Sequence, residues 1–208
     1  MSSIITHLYL ANCMKNEFNF SDKFLIGSIL PDILKANGEK RDNTHYIKKI
    51  EQNNKIFYLP NLKEYASKNP DLLKNEIKLG YFSHLVQDKI WFKYFIPMFT
   101  NYEDINLPIK YNDGSLHEYN EYLKDIYGDY ALLDTQLLNN NNFEINNKFK
   151  NSLIENLPNK NLKEVLLNNL NLQKITSEDL KLIKNNQMES YLEISKKETI
   201  HILNELLR

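Results

Sequence analysis

The segment Gly80-Tyr-Phe-Ser-His84-Leu-Val-Gln-Asp88 places a histidine and a carboxylate four residues apart inside a long apolar run. A helix turns once per 3.6 residues, so positions i and i+4 share one face, about 6 Å apart. That spacing lets an imidazole and a carboxylate hold one metal ion. An apolar stretch that carries such a pair folds most readily as a buried helix. The rest of the chain agrees. Its 208 residues contain only five glycines and six prolines, and Leu, Ile, Lys, Glu and Asn are abundant. Few chain-breaking residues favour long helices over a strand-rich fold. Asparagine is a poor helix former, and its abundance reads as compositional bias.

The length fits one domain with a sizeable core, and 42% hydrophobic residues is ordinary for a globular protein. The 26 basic and 27 acidic residues balance to a net charge of −1. No basic excess points to long nucleic acid. The single Cys13 fits a reducing compartment, and cytoplasmic localisation is expected. The N-terminal residues show no basic, apolar leader. No apolar run reaches the roughly 18 residues of a membrane span. The oligomeric state is not legible in the sequence.

Ser2 or Ser3 can cap a first helix to about Lys15. A second runs from Lys23 to about Leu30, where Pro31 is expected to stop it and to place Asp32 in a turn. Residues 35–44 read as an exposed loop. Residues 47–60 are ambiguous, with Lys55-Ile-Phe-Tyr-Leu-Pro60 as an extended piece. Asn61 caps a short helix to about Ser67. Asn69-Pro70-Asp71 opens a central helix to about Tyr94. Residues 99–114 read as a loop, and Ser115 caps a helix from Leu116 to Leu138. Asn139–Asn142 breaks the chain. Smaller helices are expected around 146–156 and 161–170. Thr176-Ser-Glu-Asp179 carries a capping box for a last helix to about Leu206. The asparagine break divides one domain into a metal-bearing part, 1–138, and C-terminal helices, 139–208.

Imidazole and carboxylate both donate lone pairs to a hard or borderline cation. The candidates are His7, Asp32, His45, His84, Asp88, His117 and Glu121. Seven ligands suffice for two metals with positions left for water and substrate. Two metals can clamp a phosphate and lower the pKa of a water, which fits phosphoester hydrolysis. Taken singly, each residue has a plainer reading. A lone histidine on an apolar face is ordinarily a hydrogen-bonded core residue, and HxxxD or HxxxE pairs also arise on solvated helix faces. His201 reads as structural. Tyr9, Tyr46, Tyr81 and Tyr94 read as core or pocket lining, and Trp91, Phe92 and Phe95 as core.

The order of the motifs adds to this. Thr6-His7-Leu-Tyr-Leu-Ala11, Gly27-Ser-Ile-Leu-Pro-Asp32, Thr44-His45-Tyr46 and Gly80-Tyr-Phe-Ser-His84-Leu-Val-Gln-Asp88 resemble the zinc-dependent phospholipase C family. The related S1/P1-type nucleases share its helical fold. His117-Glu-Tyr-Asn-Glu121-Tyr-Leu continues the resemblance, which covers roughly residues 4–135. It implies an all-α, single-domain helical bundle with a zinc cluster in a cleft. Carried over to this chain, it implies that Asp32, His45, His84 and Asp88 hold one metal. Asp88 then bridges to a second metal that His7 also binds, and His117 and Glu121 hold a further one. Asp32 is the first candidate for the general base and Glu121 the second.

Two features depart from the family pattern. Secreted members use the amino group of the first mature residue as a zinc ligand, whereas Met1 here lies six residues before His7. They also carry a histidine about ten residues after the HxxxD histidine, where this chain has Tyr94. A two-zinc centre is therefore expected, with the third ion in doubt. Iron or manganese also suit the donor set. The expected activity is hydrolysis of a phosphodiester by metal-activated water, on a small phosphoester or phospholipid. Two alternatives stand beside it: a nuclease or nucleotide phosphodiesterase on the same site, and a non-catalytic interaction protein with a structural metal site.

Overall fold

The computed structural model describes residues 3–52, 55–101, 108–111, 113–140, 143–170 and 180–208. Helix dominates, as the scarcity of glycine and proline predicts, and the fold is all-α with two small sheets. Helix α1 spans Ile4–Phe18. Ser3 caps it by accepting the Thr6 N–H at 3.0 Å, and Asn19, in the left-handed region at φ 57°, ends it. Helix α2 spans Asp22–Ala36, and α3 is one turn, Arg41–Thr44. An antiparallel hairpin follows, β1 (Ile47–Gln52) against β2 (Lys55–Pro60), with Ile47 opposite Pro60. Asn61 then caps α4 (Leu62–Lys68).

Helix α5, Glu76–Ile90, is the central element, with His84 and Asp88 both fully buried on it. One turn of π-helix (Trp91–Phe95) and α6 (Ile96–Phe99) continue it. A three-stranded antiparallel sheet joins β3 (Thr100–Asn101), β4 (Ile109–Tyr111) and β5 (Leu116–His117). Helices α7 (Tyr119–Asn140), α8 (Asn147–Glu155), α9 (Lys160–Leu170) and α10 (Asn185–Leu206) complete the described chain.

The closest packing joins α2 to α5, backbone against backbone. A Cβ on Gly80 would lie 2.1 Å from the Phe24 carbonyl oxygen, and one on Gly27 would lie 2.0 Å from that of Ile77. Only hydrogen fits at either position. Around this pair pack Leu8, Phe24, Ile29, Leu85 and Trp91, all buried. Helix α10 closes the other side, where Tyr191 meets Trp91 edge-on at 4.7 Å.

Several boundaries differ from expectation. Pro31 does not end α2; it sits inside the helix. Proline forfeits only its own N–H bond, here the one to the Gly27 carbonyl, and burial of Phe24, Ile29 and Ile33 on both sides carries the helix through. Asp32 therefore projects from a helix, not a turn. The central helix does not begin at Asn69. Leu72–Lys74 is a 3₁₀ turn, and the Asn75 side chain caps α5 by accepting from the Ile77 and Lys78 N–H groups. The expected loop at 35–44 contains the last residues of α2 and all of α3. Helix α7 starts at Tyr119, which leaves His117 on a strand. The capping pattern at 176–179 lies outside the described residues, and α10 starts later, with its capping box at Lys184 and Gln187. No described helix is long and apolar enough to cross a membrane.

Candidate metal centre

Five of the seven candidate ligands converge. His7 comes from the first turn of α1, Asp32 from the last turns of α2, His45 from the residue after α3, and His84 and Asp88 from α5. All are buried. His7 Nε2 lies 3.4 Å from Asp88 Oδ1, and His45 Nε2 lies 3.3 Å from Asp32 Oδ1 and 3.8 Å from Asp88 Oδ2. His84 Nε2 lies 3.7 Å from Asp88 Oδ2. The His7 and His84 rings stack at 3.8 Å between centroids. Two triads have donor atoms close enough to share an ion, His7–Asp32–His84 and His45–His84–Asp88. His84 belongs to both.

Each imidazole is held from behind. His84 Nδ1 donates to the Ser28 carbonyl at 2.7 Å, and His7 Nδ1 donates to Gln87 Oε1 at 2.6 Å. The Thr44 hydroxyl donates to the Arg41 carbonyl, so His45 Nδ1–H donates to Thr44 Oγ1 at 2.8 Å. With every Nδ1 engaged as a donor, every Nε2 faces the centre, where a metal can take the place of any proton it shares with a carboxylate. This is the tautomer that a metal requires. The Tyr81 hydroxyl donates to the Thr44 carbonyl and fixes the α3 turn. Tyr46, directly after His45, is left-handed at φ 52°. Such a conformation is costly for an L-residue. It turns the chain out into the hairpin while His45 stays buried.

The charges fit a cation. Burial pushes carboxyl pKa values up, yet the neighbouring histidines outweigh it. The His45 bond and the surrounding imidazoles hold Asp32 at about 2. His7, 3.4 Å away, and the His84 charge hold Asp88 well below the usual range. Burial, helped by the His7 charge, lowers His84 to about 3, so its imidazole is neutral. Burial also lowers His7, but Asp88 raises it further. Two buried carboxylates thus lie among three buried imidazoles. Both Asp88 oxygens and His84 Nε2 are buried without a hydrogen-bond partner. Orphaned buried acceptors are expensive, and a divalent cation among them supplies the missing partner.

The structure does not bring His117 and Glu121 into this group. His117 stacks on Tyr111 at 3.9 Å, accepts from Ser115 or donates to it at 2.8 Å, and pairs with Glu121 at 3.5 Å. Its side chain is 29% exposed and that of Glu121 63%. His201 lies exposed on α10 and pairs with Glu205.

A cleft of about 360 Å³ opens beside the cluster, lined among others by Ser3, Asp32, Lys35, Tyr127, Tyr130 and Asp134. Asp32 thus belongs both to the buried cluster and to the cleft wall. Tyr130 and Asp134 were not singled out in the sequence, although their i, i+4 spacing on α7 is the one used for the histidine pairs. Asp134 bonds to the Ser3 hydroxyl and lies 3.4 Å from Thr6 Oγ1. Burial raises its pKa to about 7. The Tyr130 oxygen accepts the Trp91 Nε1–H at 2.8 Å.

A family model described as zinc dependent phospholipase C matches residues 2–171 of the chain. That span contains every residue of the cluster and the α7 residues that line the cleft. Neither the curated proteins nor the solved structures include a match.

Proposed function

The chain belongs to the zinc-dependent phospholipase C family, and from that premise we propose that it hydrolyses a phosphodiester at the buried histidine–aspartate cluster. The observation that carries the reading is the double position of Asp32, at the cluster and on the cleft wall. Zinc bound there supplies a lowered pKa for water and neutralisation of phosphoryl charge. His7, Asp32, His45, His84 and Asp88 are the residues that would hold it; His84 has one free nitrogen and would serve one ion, so the two triads are overlapping donor sets and the carboxylates are the groups able to serve two ions.

Asp32 stays ionised throughout the neutral range. It is the carboxylate that belongs to both the cluster and the cleft, so it would orient the attacking water and accept its proton. Lys35 adds a cation to the cleft wall, suited to a phosphate oxygen. The cleft has the size of a small-ligand pocket, which favours a phospholipid headgroup or small phosphoester over a long polymer. The net charge of −1 points the same way. Glu121 is exposed and outside the cluster, so Asp32 alone keeps the role of base.

The test compares zinc-loaded protein on phosphatidyl-headgroup vesicles and on a single-stranded oligonucleotide. Headgroup release that chelator abolishes and zinc restores is expected. Cleavage of the oligonucleotide alone would make the protein a nuclease. Zinc uptake with turnover of neither substrate would make the cluster a structural metal site.

A further inference from the structure

Tyr130 shares the cleft wall with Asp32 of the metal cluster. It lines the cleft, is 8% exposed, and lies near enough to Asp88 to feel that carboxylate's charge. Its hydrogen-bonding is half used. The indole N–H of Trp91 is a donor only, so the phenol oxygen is the acceptor in their bond. The phenol's own proton is left over, and no described residue is seen to accept it. A buried hydroxyl with one fixed partner and an uncommitted proton is a pre-aimed donor.

The local backbone explains how Trp91 reaches it. The chain leaves α-helical geometry directly after Ile90 and makes one π-helical turn from Trp91 to Phe95. Single π turns are frequent at functional sites, because the extra residue re-aims the side chains that follow. Here the turn follows the Asp88 segment and sends a fully buried Trp91 toward α7. Phe95 stacks parallel to Trp91 at 5.8 Å, and Tyr191 closes its edge. The indole is thereby immobilised, and so is the phenol it holds.

We infer that Tyr130 is a catalytic residue, whose O–H, held in place by Trp91, donates a hydrogen bond to a non-bridging phosphoryl oxygen of the substrate. The inference rests on the phosphoesterase reading for the identity of that oxygen. The phenol acts as a donor without giving up its proton. Burial pushes its pKa well above the ordinary tyrosine value, so transfer to a phosphoryl oxygen is unfavourable. What it contributes is a neutral, fixed dipole aimed at charge that builds up on phosphorus oxygens. It complements Lys35, which supplies a flexible point charge.

The experiment uses zinc-loaded full-length protein and inorganic phosphate as the probe. Phosphate affinity is measured calorimetrically for the wild type and for Tyr130→Phe, which keeps the ring against Trp91 and removes only the hydroxyl. Phosphate is expected to bind the variant roughly tenfold more weakly, the scale of one hydrogen bond to a charged group. Zinc content is expected to stay unchanged. Equal affinities, or no phosphate binding by the wild type, would overturn the inference. Trp91 is the only tryptophan in the chain, so its emission gives a second readout that needs no variant. Phosphate is expected to shift that emission, and an unchanged spectrum at saturation would overturn the inference even if Tyr130→Phe failed to fold. Tenfold weaker phosphate binding in a protein that cleaves no phosphodiester would leave the donor role standing and remove the phosphoesterase reading.

Discussion

Gly80→Ala sets two physical effects against each other, and the structure decides the sign. Within a helix, alanine is favoured over glycine by up to about 1 kcal/mol. Against that, the new Cβ lies 2.1 Å from the Phe24 carbonyl oxygen, where ordinary contact begins at 3.4 Å. Helices α2 and α5 must part by roughly 1.3 Å, the gap between those distances. One turn along α5, His84 Nδ1 is bonded to the Ser28 carbonyl at 2.7 Å. The same separation stretches that contact to about 4 Å, beyond hydrogen-bond range. Overpacking costs roughly 1–3 kcal/mol, and an orphaned buried partner roughly 1–3 more. The variant is therefore expected to lose about 1–5 kcal/mol in urea unfolding, and zinc affinity with it, because His84 is no longer aimed. Gly128→Ala is the control. Gly128 lies inside α7 with open space where its Cβ would be, so propensity acts alone and a gain of up to about 1 kcal/mol is expected. A Gly80→Ala protein as stable as the wild type, with intact zinc binding, would refute the claim that this backbone contact positions the site.

Other variants test separate parts of the account. Burial raises the Asp134 pKa to about 7, from 3.8 in an exposed carboxyl, so the folded state keeps a proton that the unfolded state releases. Stability is then lost as pH rises from about 4 to about 7, by up to about 1.4 kcal/mol per unit. Asp134→Asn is expected to flatten that decline, measured as urea midpoints at pH 5 and pH 8; parallel pH profiles would contradict it. Asp129 accepts the backbone N–H groups of Lys181, Leu182 and Ile183 at 2.7–2.8 Å, tying α7 to the segment before α10. Asp129→Ala is expected to cost about 3 kcal/mol or more by thermal unfolding, because buried donors lose their acceptor. His117→Ala is expected to leave zinc content unchanged, as elemental analysis can establish, since His117 pairs with Ser115, Tyr111 and Glu121.

The parts of the fold legible in the sequence were those set by local chemistry. Ser3 caps α1, and Asn61 caps α4, because a side-chain oxygen next to a free N–H needs nothing from elsewhere in the fold. The i, i+4 rule put His84 and Asp88 on one face, and they share it. Boundaries set by tertiary packing were harder to read. Pro31 is a stop signal by itself, yet burial on both sides overrides it. His117 and Glu121 have helical spacing, but the β5 pairing of His117 with Ile109 ends the helix before it reaches that histidine. The hairpin at 47–60 lacks clean alternation, so its pairing was not readable. Tyr130 and Asp134 were missed because nothing in their local sequence marks a cleft. Their role comes from Asp32, Ser3 and Trp91, which lie far away along the chain.

The central claim is that His7, Asp32, His45, His84 and Asp88 form one zinc centre. The most direct test is zinc per chain by elemental analysis, on protein purified without a histidine tag, for the wild type and for the double substitution His84→Ala with Asp88→Ala. The two triads share His84, and Asp88 touches three of the histidines. Two zinc ions per wild-type chain and none in a folded double variant are the predicted result. Full zinc content in the double variant would contradict the assignment.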